Sequence, residues 1–327
     1  MHRWLLATLG VLMLAAPAAA QTAHVAIVVG LAGDPEHAEL FQRWAATMVD
    51  GATKMGVTKE HLIYLAEKPE ADPKRATGKS TKEEVVKAFG ELATAGPDDL
   101  VFVILIGHGT FANNEAKFNL PGPDMTPADF APLLAKLKSK NVVLVNTSSA
   151  SGPFVDALGA PGRTIIAATR NGSERFATLF GGYFVDGLTG TEADADKNGR
   201  ISVLEAFNFA KREVGVAYER EGIMVTEHPI LSDNGEKTGT QTPSADGKQG
   251  RVASILTLGS ATTEVLPADP KVRALYTERR ELERRIEGLK LLKDSMEPAK
   301  YAAELERLAT ELALKTRQIR ESEGKQP

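Results

Sequence analysis

Five runs of nearly uninterrupted apolar residues constrain the fold of this chain more than any other feature. They are residues 24–31, 61–66, 100–106, 141–146 and 164–169. Strands that are covered on one face alternate apolar and polar residues, whereas continuous apolar strands indicate a sheet that is buried on both faces. Helical patterns separate these runs, so the sequence predicts an α/β fold, an α/β/α sandwich with a mostly parallel sheet.

Two of the predicted helices carry recognisable start signals. Ser80 with Glu83 fits a capping box before a helical pattern, in which each side chain binds a backbone amide of the other's residue. Thr126 is followed by Pro127, and proline suits the first position of a helix because its missing N–H would have no helical partner there. We expect both helices to pack on the sheet.

The first 20 residues have the pattern of a secretory signal peptide. A basic start, "MHR", precedes an apolar run and the small-residue stretch "AAAQ", which predicts cleavage after Ala20. No later stretch reaches the ~18 apolar residues of a spanning helix, so we expect no transmembrane segment in the mature chain. The predicted location is outside the cytoplasm, either periplasmic or secreted.

Composition excludes several classes of protein and partner. The chain of 327 residues contains no cysteine, so its stability depends on core burial rather than on disulfides. The formal charge is −4 and the isoelectric point is about 6.0. A binding surface for nucleic acid or anionic lipid requires a basic footprint, which this composition does not indicate.

The composition changes near residue 267, where charged helix formers begin to dominate. We therefore divide the chain into a signal peptide (1–20), a main domain (21–266) and a C-terminal segment (267–327). Apolar residues recur every seven positions in two series that Pro298 separates, the first at Leu275, Leu282, Leu289 and Met296 and the second at Leu305, Leu312 and Ile319. This spacing predicts a helical hairpin folded at "MEPAKY", and its alternative is an oligomerising coiled coil. Residues 270–324 are also the predicted contact for a protein partner.

Two loops that follow predicted strands contain the candidate reactive residues. In parallel sheets ligands bind beyond the carboxyl ends of the strands. The strand at 100–106 ends in Gly107, His108 and Gly109, and the next strand ends in "NTSSASGP". Glycines on both sides let the backbone turn sharply and present the imidazole, while small residues in the second loop expose amides that suit an oxyanion. A turn residue without chemistry is the alternative for His108.

The two loops resemble those of the clan CD cysteine peptidases, the legumain and caspase group, and are most similar to the legumain-like branch. In that family one strand ends in His-Gly and the next ends in Cys-x-Ser-Gly. Here "ILIGHGT" matches the first motif and "SASG", residues 149–152, matches the second. The resemblance covers roughly residues 24–235. It implies a caspase-like fold, a peptide or protein ligand, a base at His108, a nucleophile position at Ser149 and an oxyanion-binding amide at Gly109.

Ser149 occupies the position where the family has its nucleophilic cysteine, and this changes the expected chemistry. A thiol has a pKa of ~8.5, which a nearby imidazole lowers further, whereas a serine hydroxyl needs an oriented general base. The sequence shows no obvious carboxylate beside His108. We therefore interpret the chain as a catalytically inactive relative that binds a peptide or protein. An active hydrolase that uses His108 and Ser149 and an envelope adaptor that acts through the helical hairpin are the alternatives.

The resemblance also points to candidate substrate-binding residues. Legumain-like enzymes carry a basic residue in the loop and helix after the first strand, where it helps to read asparagine side chains. Glu36 lies near that place in this chain, and Arg43 is a substitute by position. Ser148, beside the nucleophile position, completes the candidate set. The specificity of the legumain-like enzymes is therefore expected to be lost.

A separate site is predicted by the segment "DADKNGRISVLE", residues 194–205. Its residues fit the ligand positions of an EF-hand loop, at Asp194, Asp196, Asn198, Arg200 (through its carbonyl), Ser202 and Glu205. Glycine at 199 suits the sharp turn of such a loop. The sequence therefore predicts a Ca²⁺ site, and the alternative is a polar turn in which Ser202 and Glu205 form a capping box without metal.

Overall fold

The computed structural model describes residues 21–259, 269–293 and 295–322. The predicted signal peptide and part of the segment between the main domain and the C-terminal helices lie outside these residues. The strands are β1 (Ala23–Val29), β2 (Leu62–Ala66), β3 (Gly78–Lys79), β4 (Leu100–Ile106), β5 (Gly109–Ala112), β6 (Glu115–Phe118), β7 (Asn141–Asn146), β8 (Arg163–Ala167) and β9 (Ile230–Ser232). The helices are α1 (Pro35–Lys54), α2 (Lys82–Leu92), α3 (Pro127–Ala135), α4 (Gly152–Leu158), α5 (Phe180–Thr189), α6 (Val203–Glu221), α7 (Pro270–Leu291) and α8 (Pro298–Ser322).

Seven strands form one twisted sheet in the order β3-β2-β1-β4-β7-β8-β9. All neighbours are parallel except β8 and β9, which pair in antiparallel orientation. Strands β2 and β3 are added on one side of β1, and β4, β7, β8 and β9 are added on the other side. The order of the strands therefore reverses between β1 and β4. A reversal of this kind is where open α/β sheets bind ligands, at the carboxyl ends of the strands.

The predicted α/β/α sandwich is confirmed, with a core on each face of the sheet. Residues of β4 alternate between the two cores, since Phe102 and Ile104 face one side and Val101 and Val103 face the other. Helices α1, α5 and α6 cover the first face, and α2, α3 and α4 cover the second. Burial on both faces explains why every residue of β4 is apolar and buried.

Of the two predicted helix starts, that of α3 is confirmed and that of α2 is wrong by one residue. Thr126 caps α3 in a complete capping box with Asp129, and Pro127 occupies the first helical position as predicted. The prediction for α2 was wrong by one residue, because Thr81 and not Ser80 caps this helix by accepting from the Glu84 amide. The Ser80 side chain is fully buried and its hydroxyl has no partner among the described residues.

The predicted C-terminal helical hairpin is present. Helices α7 and α8 pack against each other around two small apolar clusters, which include Leu282, Leu289, Leu308 and Ile319. Helix α7 ends at Leu291 and α8 begins at Pro298, so the turn ends inside the predicted "MEPAKY" segment and begins a few residues before it. In the parts of the chain that the structure describes, no helix combines the length and the hydropathy needed to cross a bilayer.

A small antiparallel hairpin that the sequence patterns did not predict follows β4 directly. Strands β5 and β6 pair from Gly109 with Phe118 to Ala112 with Glu115. Asn113 and Asn114 form its turn, and both have positive φ angles. Asparagine tolerates this left-handed region better than most residues, so the pair suits a two-residue hairpin turn. The hairpin places backbone beside the loop that contains His108.

Candidate functional site

The sheet brings three loops together at its carboxyl edge. Strand β4 lies between β1 and β7, with Val29 opposite Ile106 and Leu105 opposite Asn146. Because neighbouring parallel strands end at the same edge, the loop with His108 emerges between the loop before α1 and the loop after β7. The two motifs that carry the family resemblance are therefore neighbours in space as well as in strand order.

Ser149 is hydrogen-bonded to the backbone of Gly109 at two points. Its hydroxyl donates to the Gly109 carbonyl at 3.0 Å and accepts from the Gly109 amide at 3.3 Å. The side chain is almost completely buried, with 3% of its surface exposed. The hydroxyl thus donates to a carbonyl, and the amide that would bind an oxyanion already has an acceptor.

The close approach of the two loops depends on glycine at position 109. A Cβ atom there would lie 2.3 Å from the Ser149 carbonyl oxygen and 2.7 Å from the Ser148 hydroxyl. Real Cβ atoms do not come this near to other atoms, so any larger residue would force the loops apart. The Gly after the histidine is therefore required by packing, whatever its chemical role.

The residue after Ser149 has an unusual backbone conformation. Ala150 has a φ angle of 55° and is buried, although left-handed conformations are uncommon for residues other than glycine. Its amide donates to the Glu174 carbonyl at 2.7 Å. The loop after β8 therefore holds the strained turn that presents Ser149, and strain of this kind persists where the surroundings over-determine it.

His108 is enclosed by side chains from the start of α1. Its ring lies 4.6 Å from the His37 ring and 5.1 Å from the Phe41 ring, in edge-on geometry in both cases. His37 Nδ1 is 2.7 Å from an Asp34 carboxylate oxygen. Asp34 therefore orients His37, and His37 contacts His108, so a carboxylate does lie close to the candidate base although the sequence did not reveal it.

The surroundings of His108 favour its neutral form. Burial lowers the pKa of His108 most, and the neighbouring His37 lowers it further, while a hydrogen bond with the Ala32 backbone and the charge of Asp34 act in the opposite direction. The pKa of Asp34 is also lowered, because the His37 amide and ring both donate to it. At neutral pH His108 is therefore a neutral imidazole, which is the form that accepts a proton.

Two buried carboxylates brace the loop that supports Ala150. Glu174 binds the amide and the ring of His228, with 2.7 Å between the Glu174 carboxylate and His228 Nδ1. Glu227 accepts from the Leu179 and Phe180 amides at the start of α5. Burial raises the pKa of Glu227 to about 7, although those two amides act against the shift. Glu174 thus ties the loop after β8 to His228, and Glu227 ties the neighbouring segment to the start of α5.

The predicted substrate-binding residues do not form one group. Ser148 is fully buried, and both its amide and its hydroxyl donate to the Asn146 side-chain oxygen. Glu36 is exposed in the first turn of α1, one residue before His37. Arg43 lies further along α1 and forms an exposed ion pair with Glu39 at 3.4 Å. The structure brings Ser148 to the loop of Ser149 and leaves both charged residues at the surface.

The residues that sequence reasoning missed are Asp34, His37, Glu174 and Glu227. Asp34 and His37 follow the first strand, so their position at the carboxyl edge was a usable signal. Glu174 and Glu227 carried no such signal, because their partners lie 54 and 47 or 48 residues away in the chain. Contacts of this range depend on the tertiary fold and not on local pattern.

The predicted calcium loop curls its acidic side chains toward one point. Carboxylate oxygens of Asp194, Asp196 and Glu205 lie within 4.8 Å of one another. Glu205 and Ser202 also form the capping box of α6, with 2.8 Å between the Ser202 hydroxyl and the carboxylate. Burial raises the pKa of Asp196, and the neighbouring carboxylates add to this. Both interpretations of this loop are therefore compatible with its geometry.

Comparisons with known proteins identify no family for this chain. No protein-family model matches the chain, and no curated protein matches it significantly. Among solved structures, the crystal structure of caspase-1 from Spodoptera frugiperda is similar, with a TM-score of 0.42 and 11% sequence identity over 75% of this chain and 93% of that one.

Proposed function

We propose that this chain is an exported, catalytically inactive relative of the legumain-like peptidases that binds a peptide or protein at the carboxyl edge of its sheet. The matching order and spacing of the two motifs support the relationship. The contact between the two motif loops supports a shared site. The predicted signal peptide supports export to the periplasm or the medium, and a mature N-terminus at Gln21 in the secreted protein would test that part.

The hydrogen bonds of Ser149 carry the proposal of inactivity. A serine nucleophile needs a general base that accepts its proton, and it needs free amides for the oxyanion. Here the hydroxyl donates to the Gly109 carbonyl and occupies the Gly109 amide. His108 is a suitable base by its pKa, but the arrangement gives it no proton to accept from Ser149. The active hydrolase that uses both residues is the alternative.

A peptide panel tests binding and cleavage together. Peptides with a fluorescent label are mixed with the wild-type chain, binding is measured by anisotropy, and cleavage by mass spectrometry. We expect some peptides to bind without being cut, with an affinity that Ser149→Ala leaves unchanged within about twofold. Cleavage by the wild-type chain that Ser149→Ala abolishes would contradict the proposal and support the hydrolase.

An adaptor role for the helical hairpin remains a second proposal. The hairpin carries exposed apolar side chains, among them Leu292 and Leu314, on an otherwise charged surface. A protein partner that binds residues 270–324 would use this surface rather than the edge of the sheet. Removing the hairpin in the peptide panel separates the two surfaces, because binding at the sheet edge should persist without it.

We also propose that the loop from Asp194 to Glu205 binds Ca²⁺. The support is the EF-hand spacing of its residues together with the convergence of the Asp194, Asp196 and Glu205 carboxylates. Outside the cytoplasm free calcium is abundant, so an affinity of ~10⁻⁴ to 10⁻³ M is sufficient. The positive charge of Arg200 and its ion pair with Glu283 at 3.7 Å favour the weak end of that range.

Thermal unfolding tests the calcium site. A ligand that binds only the folded state at tenfold excess over its Kd stabilises it by about 1.4 kcal/mol, which raises Tm by roughly 3 °C in a chain of this size. We expect such a rise when millimolar Ca²⁺ replaces a chelator, and no rise in Asp194→Ala. The absence of a shift in the wild type, or an equal shift in the variant, would leave the loop as a capped turn.

A further inference from the structure

Gln21 lies two residues before the first strand of the sheet, which begins at Ala23. The residue between them is held at both of its backbone groups. The Thr22 amide donates to an Asp99 carboxylate oxygen at 3.0 Å, and the Thr22 carbonyl accepts from the Leu100 amide at 2.9 Å. Gln21 itself is exposed. The part of the chain that the sheet fixes therefore starts one residue after Gln21, at the amino edge of the sheet.

The side chain of Gln21 is held by a single exposed contact. Its Nε2 donates to the Asp98 carbonyl at 2.9 Å, and this is the hydrogen bond that the side chain makes to the described residues. Water can replace an exposed partner, so such a bond contributes at most about 0.5–1.5 kcal/mol. The amide is therefore able to leave Asp98 and turn back toward the backbone of its own residue.

Cleavage after Ala20 would turn the backbone nitrogen of Gln21 into a free α-amino group, so this step rests on the export proposed above. An ordinary α-amino group has a pKa of about 7.7–8.0, and a fraction of it is therefore neutral near neutral pH. The neutral nitrogen can reach the side-chain amide carbon of the same residue and close a five-membered ring. Two groups held on one residue react far faster than the same groups on separate molecules.

We propose that Gln21, as the first residue of the mature chain, is converted to pyroglutamate. The α-nitrogen attacks the Cδ atom of the side-chain amide, so that the bond between the α-nitrogen and Cδ forms and the bond between Cδ and Nε2 breaks. Nε2 leaves as ammonia, after it has taken up the proton that the α-nitrogen gives up through water. Nothing is oxidised or reduced, and the reaction consumes no other reactant.

The modification protects the amino end of the chain without changing the fold. The lactam ring carries no charge, so the terminal ammonium is removed, as it is by N-terminal acetylation. An aminopeptidase needs the free α-amine and therefore should not shorten the modified chain. Because Gln21 is exposed and precedes the strand, we expect the modified and unmodified chains to have the same Tm within about 2 °C.

Mass spectrometry of the N-terminal peptide tests the proposal on the full exported chain. The chain is kept at neutral pH and sampled over days, and each sample is also treated with an amine-reactive label. We expect a peptide that begins at residue 21, that is lighter than the unmodified peptide by one ammonia, and that no longer takes the label on its α-nitrogen. The modified fraction should rise with time, and it should resist an aminopeptidase.

Gln21→Asn is the matched control, because it keeps an exposed amide but could cyclise only through a strained four-membered ring. We expect this variant to keep its α-amine and to be shortened by the aminopeptidase. A wild-type peptide that begins at Gln21 and keeps its amine and its full mass would overturn the proposal and leave the proposed export intact. A mature N-terminus at another residue would contradict the predicted cleavage and overturn the proposal with it. Equal loss of the α-amine in Gln21→Asn would also overturn the proposal.

Discussion

Replacement of Ser149 by cysteine is expected to create a thiol that reacts unusually fast with a small alkylating reagent. A thiol is a weak hydrogen-bond donor, so the Gly109 carbonyl would no longer hold its proton as it holds that of the Ser149 hydroxyl. The neutral imidazole of His108 can then take the proton, which lowers the pKa of the thiol. The natural chain contains no cysteine, so an increase in the mass of the variant by one alkyl group shows that the thiol at position 149 has reacted.

The rate can be compared with that of an ordinary exposed thiol in the same chain. Ser295→Cys places a thiol in the exposed turn between α7 and α8. A thiol whose pKa falls from ~8.5 to ~7 should gain about fivefold in rate at pH 6.5 over an equally buried thiol without the imidazole, after allowance for its weaker nucleophilicity, and the exposed control gives the rate of a thiol with full access. The advantage should disappear in Ser149→Cys with His108→Ala. A cysteine at 149 that reacts at the same rate with or without His108 would show that the imidazole does not act on this position.

Gly109→Ala is expected to cause the largest loss of stability among substitutions at the site. The new Cβ atom would lie 2.3 Å from the Ser149 carbonyl oxygen and 3.0 Å from the Lys117 carbonyl oxygen. Neither backbone group can move without displacing its strand or loop, so the clash should lower the free energy of unfolding by about 2–3 kcal/mol. Denaturant unfolding, followed by circular dichroism, measures the change.

Gly90→Ala is the control substitution, at a glycine where the added Cβ atom would contact no other residue. Gly90 lies in the exposed part of α2, and a Cβ atom there would have no neighbour within 4 Å. Alanine favours the helix over glycine, so this variant should be more stable than the wild type by up to ~1 kcal/mol. If Gly109→Ala unfolded at the same denaturant concentration as the wild type, the two motif loops would not be in the contact described.

The features that the sequence predicted well are those with a local physical cause. Strand β4 was predicted at its exact limits, since a strand buried on both faces must be apolar throughout and ends where glycine begins. The start of α3 was also predicted correctly, because the Thr126 side chain caps the helix and Pro127 suits its first position. At α2 two hydroxyl residues stand side by side, and the pattern selected Ser80 although Thr81 makes the cap.

The parts of the site that could not be predicted depend on contacts between distant segments. The sequence suggested that His108 and Ser149 belong to one site, but not that the Ser149 hydroxyl binds both backbone groups of Gly109. The position of Asp34 after the first strand was a usable signal, but the contacts that join Asp34 to His37 and His37 to His108 could not be read from it. Side-chain direction is set by packing, which motif spacing does not record.

Labelling with a fluorophosphonate probe tests the central claim most directly, because only a serine activated by a base reacts with it. The folded wild-type chain is incubated with the probe, and the adduct is located by peptide mass spectrometry. The account predicts no adduct at Ser149, so that the wild type, Ser149→Ala and His108→Ala give the same background. A stoichiometric adduct at Ser149 that disappears in His108→Ala would show an active serine hydrolase and contradict the account.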